Sequence, residues 1–579
     1  MHRSAKLRSH VGSGTLLQSV RMPSKLLAAV CLVAGFLSSS APAAVPVRAL
    51  HGMVVTREAN ATDAAVAVLR SGGNAVDAAI AAGFALAVTH PSAGNLGGGG
   101  FMLIRMADGR ATFLDFRESA PAKASRNMYI GADGKPSRDS ISGWRASGVP
   151  GTVRGLEYAS KKYGRKPWAE LVAPAIELAM RGFPVSYDLS AGLKAAREEL
   201  DPYPDSKRIF LKNGRFYEPG ERFSQPELGM TLERIAHGGA REFYEGDVAR
   251  RLAAAMESHA GTITLEDLKN YKVVERQPLT GNYRGYEIIT SPPPSSGGVA
   301  MIEVMGMLEG TGYEKAGAGS AAAIHRVAEA LRRAFADRAE YLGDPDFAKV
   351  PVAGLLAPDY LARLRQSIDP EHATPSAQVR AGKPAGYEGA QTTHYSVVDG
   401  EGNAVAVTYT LNNSYGSGVT APGLGFLLND EMEDFAAQPG GPNMFGLIQG
   451  EANAIAPGKR PLSSMTPTIV LHDGKLFLVT GSPGGPRIIS AVTEMVLNAL
   501  DFGMDVQDAV NWPRFHHQWL PDTLYVERGT SPDTVALLVA RGHKVETIRS
   551  MGEVEAIQAA GGQLEGATDP RSEGKAAGY

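Results

Sequence analysis

Apolar positions recur along this chain in two periods, one helical and one of strands. Ala61 to Leu69 and Ala75 to Val88 read as Ala-rich helices, and Ser71-Gly72-Gly73-Asn74 breaks them. Asn95-Leu96 and then Gly97 to Gly100 precede the apolar run Phe101-Met102-Leu103-Ile104. Glycines ahead of a strand allow a neighbouring backbone to come close. They are not a phosphate loop, because no Gly-Lys-Ser/Thr follows and a strand comes next. Thr112 to Arg117 is a further strand, ending in a charged residue. In the middle of the chain Ile324, Val327, Leu331 and Phe335 sit at helical spacing, and Gly343-Asp344-Pro345 ends that pattern. Ser291 to Gly298 reads as a rigid turn between elements. Ala373 to Gly389 is polar and rich in Pro, Gly and Ala, and is expected to be a mobile linker. Thr468 to Leu471 and Leu476 to Thr480 are later strands, and no internal repeat is visible.

The linker leads into a β-hairpin. Two β-rich runs, starting at Thr392 and ending near Asn412, flank the turn cluster Asp399-Gly400-Glu401-Gly402-Asn403. With the turn centred on Glu401, Thr392 faces Thr410. Opposed residues have Cβ atoms about 4.5–5.5 Å apart, and the diagonal neighbour Asn412 lies about 7–8 Å away on the same face. A cut between Gln391 and Thr392 would free a threonine that carries its own base. Its α-amine, with a pKa of about 7.7–8.0, can take the hydroxyl proton, and Thr410 can orient the nucleophile. An ordinary hairpin with cross-strand threonines is the competing reading, since Thr is common in strands.

Composition narrows the class. The 579 residues suffice for several average domains. Lys plus Arg number 58 against 61 Asp plus Glu, so nothing suggests a nucleic-acid surface or a basic membrane face. The 67 glycines are spread through the chain, as in a soluble globular protein with many tight turns. Residues 1–43 read as an export signal. Arg3, Lys6, Arg8, Arg21 and Lys25 are basic, Leu26 to Leu37 is apolar but too short to span a bilayer, and Ala41 and Ala43 suit a cleavage site. Met22 is an alternative start, and an uncleaved anchor is the alternative to a signal. Cys31, the only cysteine, lies in that apolar run. Signal removal leaves a chain without cysteine, which excludes disulfides, cysteine metal sites and thiol catalysis.

Several segments beyond the hairpin carry candidate chemistry. Asn429 to Phe435 concentrates acid, either as a solvated loop or as a site for a substrate ammonium. Pro439 to Gly446 is a lid or a plain surface loop. Ser463 and Ser464 precede a strand, where paired serines usually satisfy local backbone. Gly484 and Gly485 leave backbone N–H groups unshielded, either to stabilise an oxyanion or simply to turn the chain. His516 and His517 tempt a metal reading, but adjacent histidines diverge on strand or helix and no nearby residue completes a ligand pair. They are expected to pack structurally, as is His394.

Together and in this order, these segments resemble the γ-glutamyltransferase (γ-glutamyltranspeptidase) family of N-terminal-nucleophile hydrolases. The likeness covers nearly the whole chain after the signal. It rests on Asn95 to Arg105, Leu114 to Ala124, Thr392 to Asp399, Thr408 to Asn412, Arg460 to Val470 and Gly481 to Gly485. The resemblance implies an α+β fold, a four-layer αββα sandwich assembled from two subunits of one self-cleaving precursor. Residues 44–391 would be the large subunit and residues 392–579 the small one, with cleavage between Gln391 and Thr392.

It implies further that Thr392 is the nucleophile and Thr410 its hydroxyl partner. Arg117, Ser463 and Ser464 would clamp the α-carboxylate of the γ-glutamyl group. Asn412, Glu431 and Asp434 would hold its α-amine, and Gly484 and Gly485 would form the oxyanion hole. The reaction would be acyl transfer from glutathione and other γ-glutamyl compounds to water, amino acids or peptides, with no cofactor or metal, in a bacterial periplasm or exterior. Some members carry Gln where Glu431 stands and Tyr where Phe445 stands. A glutaryl or cephalosporin acylase, and a non-enzymatic binding protein on the same fold, are the alternatives. The Arg117, Ser463, Ser464 and Asp434 set argues against an acylase, because a glutaryl group has no α-amine to hold.

Overall fold

Alternation along the strands sets the architecture of this computed structural model. In Gly52–Thr56, Met53 and Val55 face one way and Val54 the other, and in Gly99–Arg105, Phe101 and Leu103 oppose Met102 and Ile104. Side chains of period two give each strand two faces, and here both are apolar, so both must be covered. On one face Met53, Val55, Phe101, Leu103, Ala404 and Ala406 meet Ile469, Leu471, Val479 and Ile557 of a second sheet. On the other, Val54, Met102, Ile104, Val397, Val405 and Val407 pack on the Ala-rich helices Ala59–Arg70 and Ala75–Thr89. The second sheet turns Val470, Leu478 and Ala556 outward against helices Gly297–Leu308, Ala321–Tyr341 and Arg487–Leu500. Helix, sheet, sheet and helix stack as four layers, the αββα sandwich expected for an α+β chain.

Each sheet has seven strands with antiparallel neighbours. The first runs Lys575–Gly578, Gly52–Thr56, Thr393–Asp399, Ala404–Thr410, Gly99–Arg105, Ala111–Phe116, Val274–Arg276. The hairpin therefore sits near its centre. The second runs Val47–Ala49, Gln563–Ala567, Glu555–Ala560, Lys475–Gly481, Thr468–His472, Tyr286–Thr290, Leu279–Tyr283. Each sheet combines strands from both sides of residue 392, so neither half can form a complete sheet alone.

The structure describes residues 45–212, 214–381, 393–441, 443–444, 446–448 and 450–579. The signal with Cys31, the cleavage pair Gln391 and Thr392, and Phe445 lie outside these residues. Among the described residues, no helix is long and apolar enough to cross a membrane.

Three expectations are corrected. Ser291 to Gly298 is not all turn: Gly297 and Gly298 already form the first turn of helix Gly297–Leu308. The described start of the expected linker, residues 373–381, is docked. Ser376 is fully buried, its N–H donates to Asp522 Oδ2 at 2.8 Å, and Arg332 Nη1 donates to its hydroxyl at 2.5 Å. Asn412 does not continue the strand face. Its φ of 76° is left-handed and turns the chain there. Asn74, read as part of a breaker, is also the N-cap of helix Ala75–Thr89, in a reciprocal capping box with Asp77.

Candidate active site

The hairpin head is built by its turn and by the glycine run beside it. Asp399 accepts from the N–H groups of Glu401 and Asn403 and from Ala75 N at 2.9 Å, tying the turn to a helix N-terminus. Thr393 pairs with Tyr409, and His394 with Thr408, the register expected for a turn centred on Glu401. Strand Gly99–Arg105 lies directly against Ala404–Thr410, with Gly99 opposite Thr410. A Cβ on Gly98 would sit 1.9 Å from Thr410 O, and one on Gly100 2.4 Å from Thr408 O. The glycines are thus needed for close backbone approach. Asn95 Nδ2 donates to Thr410 O at 2.8 Å and fixes the strand end.

Thr410 is buried at that end, and its Oγ1 accepts from Asn412 N at 2.7 Å. Asn412 Nδ2 donates to Asp430 O at 3.1 Å, which joins the hairpin to the acidic turn Glu431–Asp434. Among the described residues, Asn412 Oδ1 is buried without a hydrogen-bond partner.

The acidic turn is not solvated. Glu431 and Asp434 are fully buried, and both bind Arg117. Arg117 Nη1 donates to Glu431 Oε1, and Nη2 donates to Asp434 Oδ2 at 2.5 Å. The guanidinium also donates to the carbonyls of Pro461 (3.2 Å) and Leu462 (3.4 Å). Its backbone is held by Asp115 Oδ1 and by the Tyr271 hydroxyl, which donates to Arg117 O at 2.8 Å. Asp115 in turn binds Arg460 and Arg276.

A third carboxyl, Glu118, lies 3.6 Å from Arg117 Nη1. Burial works against the charge of Arg117, but Glu431, Asp434 and Glu118 hold its pKa above the ordinary arginine value. Burial, and then the repulsion of Glu431, push the Glu118 and Asp434 carboxyls well above the usual range. The result is one buried arginine among three carboxyls, of which Glu118 and Asp434 resist ionisation.

The serine loop follows Leu462. Ser463 Oγ accepts from Met465 N at 3.0 Å, and Ser464 Oγ accepts from Arg338 Nη2 at 2.9 Å. Gly484 and Gly485 lie between strand Lys475–Gly481 and helix Arg487–Leu500, with φ of 131° and 63°. Their carbonyls accept from Arg487 N and Ile488 N, opening the helix. Gly484 lines a cavity of about 270 Å³ together with Thr393 and Asn412. A larger cavity of about 970 Å³ shares Arg57, His90, Ser92 and Ser414 with it. In the loop from Pro439 to Gly446, Met444 is anchored by its N–H on Glu433 Oε1 at 3.0 Å, beside the acidic turn.

The histidines take structural places. His394 is buried between Thr408 Oγ1 and Ser396 Oγ, both at 3.0 Å, and burial pulls its pKa down to about 3. His516 bonds Ser490 and Gln518, and Trp519 N donates to His517 Nδ1. Glu118 and Arg338 carried no role in the sequence reading. Glu118 stood next to Arg117 in a quoted motif, which was the available signal; Arg338 lies in a helix with none.

Comparison with known proteins adds independent findings. The family model described as Gamma-glutamyltranspeptidase matches residues 61–579. The chain is 53% identical over 530 residues to the glutathione hydrolase proenzyme of Escherichia coli (strain K12), covering 91% of each chain. Among solved structures it is similar to the cephalosporin acylase from Bacillus halodurans, with a TM-score of 0.84, 28% identity, and 94% of this chain and 98% of that one covered. The Helicobacter pylori gamma-glutamyltranspeptidase matches with a TM-score of 0.56 and 42% identity, over 59% of this chain and 97% of that one.

Proposed function

Because the chain belongs to the gamma-glutamyltranspeptidase family, we propose a catalytic mechanism in which a freed Thr392 and the Arg117 cluster divide the work. The protein is an autoprocessing γ-glutamyltransferase with glutathione hydrolase activity. Thr392 first attacks the carbonyl of Gln391, and the resulting ester is hydrolysed, leaving subunits 44–391 and 392–579. In turnover Thr392 Oγ attacks the γ-carbonyl carbon of the donor while its α-amine takes the hydroxyl proton. That proton leaves with the departing amine. Water or an acceptor amine then cleaves the threonyl ester. The register of Thr393 opposite Tyr409 supports this reading, since one further step of the same pairing would set Thr392 against Thr410. Gly484 and Gly485 receive the oxyanion.

The Arg117 cluster is the observation that carries the substrate assignment. The residues expected to hold opposite ends of an amino-acid head group are paired with each other, buried, through Arg117 to Glu431 and Asp434. A zwitterionic head can enter by exchange: its carboxylate replaces an acid at Arg117, and its ammonium takes that acid as partner. Neither charge is then left unpaired in a buried site, where that would be costly. Ser463 and Ser464 each accept from an N–H donor, so each hydroxyl proton is directed elsewhere, which suits a carboxylate. A glutaryl group lacks the ammonium and gains only half of this exchange. The larger cavity offers room for the leaving portion of the donor and for amino-acid or peptide acceptors. Residues 1–43 act as a signal that sends the protein to the periplasm or outside the cell.

A donor panel tests the reading: glutathione, glutamine, a γ-glutamyl anilide and glutaryl-cephalosporin, each with and without a dipeptide acceptor. Turnover of the γ-glutamyl donors above the glutaryl one is expected. Preference for glutaryl-cephalosporin would overturn the assignment in favour of an acylase.

A further inference from the structure

Arg338 lies on helix Ala321–Tyr341, far in sequence from the serine loop, yet hydrogen-bonds to it. Its side chain is 1% exposed. Nη2 donates to Ser464 Oγ at 2.9 Å, and Nε donates to Ser296 Oγ at 3.0 Å. Ser296 Oγ donates in turn to Ser463 O at 2.7 Å, and Ser296 N donates to the same carbonyl at 2.7 Å. One guanidinium therefore fixes the Ser464 hydroxyl directly and the Ser463 carbonyl through Ser296. The Phe335 ring, 5.7 Å from the guanidinium carbon, packs on the same cation.

The direction of these bonds matters. A guanidinium only donates, so Ser464 Oγ accepts at this contact and turns its own proton toward another acceptor. Arg117, also buried at the loop, is already surrounded by Glu118, Glu431 and Asp434. Arg338 brings a further guanidinium to the serines themselves. We propose that Arg338 is a positioning residue for donor recognition: it orients Ser464 as a hydrogen-bond donor to the donor's α-carboxylate and holds the loop through Ser296. This rests on the reading of Ser463 and Ser464 as carboxylate ligands.

Kinetics on fully matured protein test it, with a γ-glutamyl anilide and its α-carboxamide counterpart as probes. The carboxamide keeps the ammonium and the scissile amide but loses the negative charge. R338Q is expected to raise KM for the charged donor about 10- to 100-fold, the range of one charge-assisted hydrogen bond. Its kcat, and its KM for the carboxamide, should stay within about threefold of wild type, because binding common to ground and transition states is what is lost. R338K restores charge without the planar fork and should fall between. S296A removes the hydroxyl that links Arg338 to Ser463 O but leaves the Arg338 bond to Ser464 and the Ser296 N–H bond to Ser463 O, and should raise KM for the charged donor less than R338Q does.

Equal losses on both donors, or a wild-type KM in R338Q, would overturn the proposal. If R338Q does not mature, R338K and S296A decide: wild-type donor ratios in both overturn it. S464A separates the two levels of the argument. An unchanged donor ratio in S464A sinks the carboxylate reading itself. A narrowed ratio in S464A with an unchanged one in R338Q sinks only the role of Arg338.

Discussion

Asp434→Asn isolates the recognition of the donor's amine. Asp434 is fully buried, and its Oδ2 lies 2.5 Å from Arg117 Nη2. When a donor binds, this carboxylate is expected to exchange Arg117 for the ammonium. Leaving a buried charge without its partner costs about 3–5 kcal/mol, or between about 10² and 10⁴ in kcat/KM. Two features of the site pull the figure toward the lower end. Burial and Glu431 hold the Asp434 carboxyl well above its ordinary range, so the ammonium must first displace a proton. Glu431 also remains as a second acid beside Arg117. A loss of about 10²-fold on a γ-glutamyl anilide is therefore expected, against less than about 10-fold on the glutaryl anilide, which has no ammonium to lose.

The assay is kcat/KM for both anilides on fully matured protein, since a maturation defect would lower both together. A pH series adds a second readout. In wild type, the preference for the γ-glutamyl anilide should fall as pH drops through a window above the usual carboxylate range, where Asp434 takes a proton. Asp434→Asn should show no such fall. A ratio of the two kcat/KM values equal to wild type would refute the reasoning, whatever the absolute rates.

Other outcomes follow from the same site. Thr392→Ala should remain a full-length, inactive precursor on a denaturing gel; efficient cutting at Gln391 in the purified variant would assign the cleavage to an outside protease. Thr410→Val removes the acceptor for Asn412 N, a buried loss of about 1–3 kcal/mol, and should slow maturation far more than Thr410→Ser; equal time courses on a gel would count against an orienting role. Arg117→Ala should mature normally but lose donor binding, and a donor KM equal to wild type would rule that role out.

Glu303 gives a pH test remote from the site. It is buried, and burial followed by Asp337 pushes its carboxyl well above the ordinary value. The folded form keeps a proton that the unfolded chain releases, so this stabilisation is complete at low pH and is lost as pH rises through the folded value. Glu303→Gln should raise the melting midpoint more at pH 8 than at pH 5, and equal shifts would refute it.

Local information carried the chain a long way. Alanine content and the breaker Ser71 to Asn74 placed helices Ala59–Arg70 and Ala75–Thr89 to within two residues. The turn cluster at Glu401 set the hairpin register, and the glycine run announced the close approach to Thr408 and Thr410. These features are written in neighbouring residues, because backbone sterics, turn chemistry and strand alternation act over a few positions. The site roles came from likeness to a family, since nothing in periodicity connects Arg117 to an acidic run more than three hundred residues later.

What only the folded chain decided is charge and partnership at a distance. The acidic run reads as a solvated loop or an ammonium site, and the solvated reading falls only when Arg117 is found buried against it. Residues 373–381 read as linker until Arg332 and Asp522 are found holding Ser376. Glu118 is marked in sequence only by its neighbour Arg117, and Arg338 by nothing, yet one joins the carboxyl cluster and the other grips the serine loop. A side chain's protonation and its hydrogen-bond direction depend on what surrounds it in three dimensions and on how much water is excluded there. Four layers bring together residues from both sides of the expected cut, and only that packing determines which charges face one another.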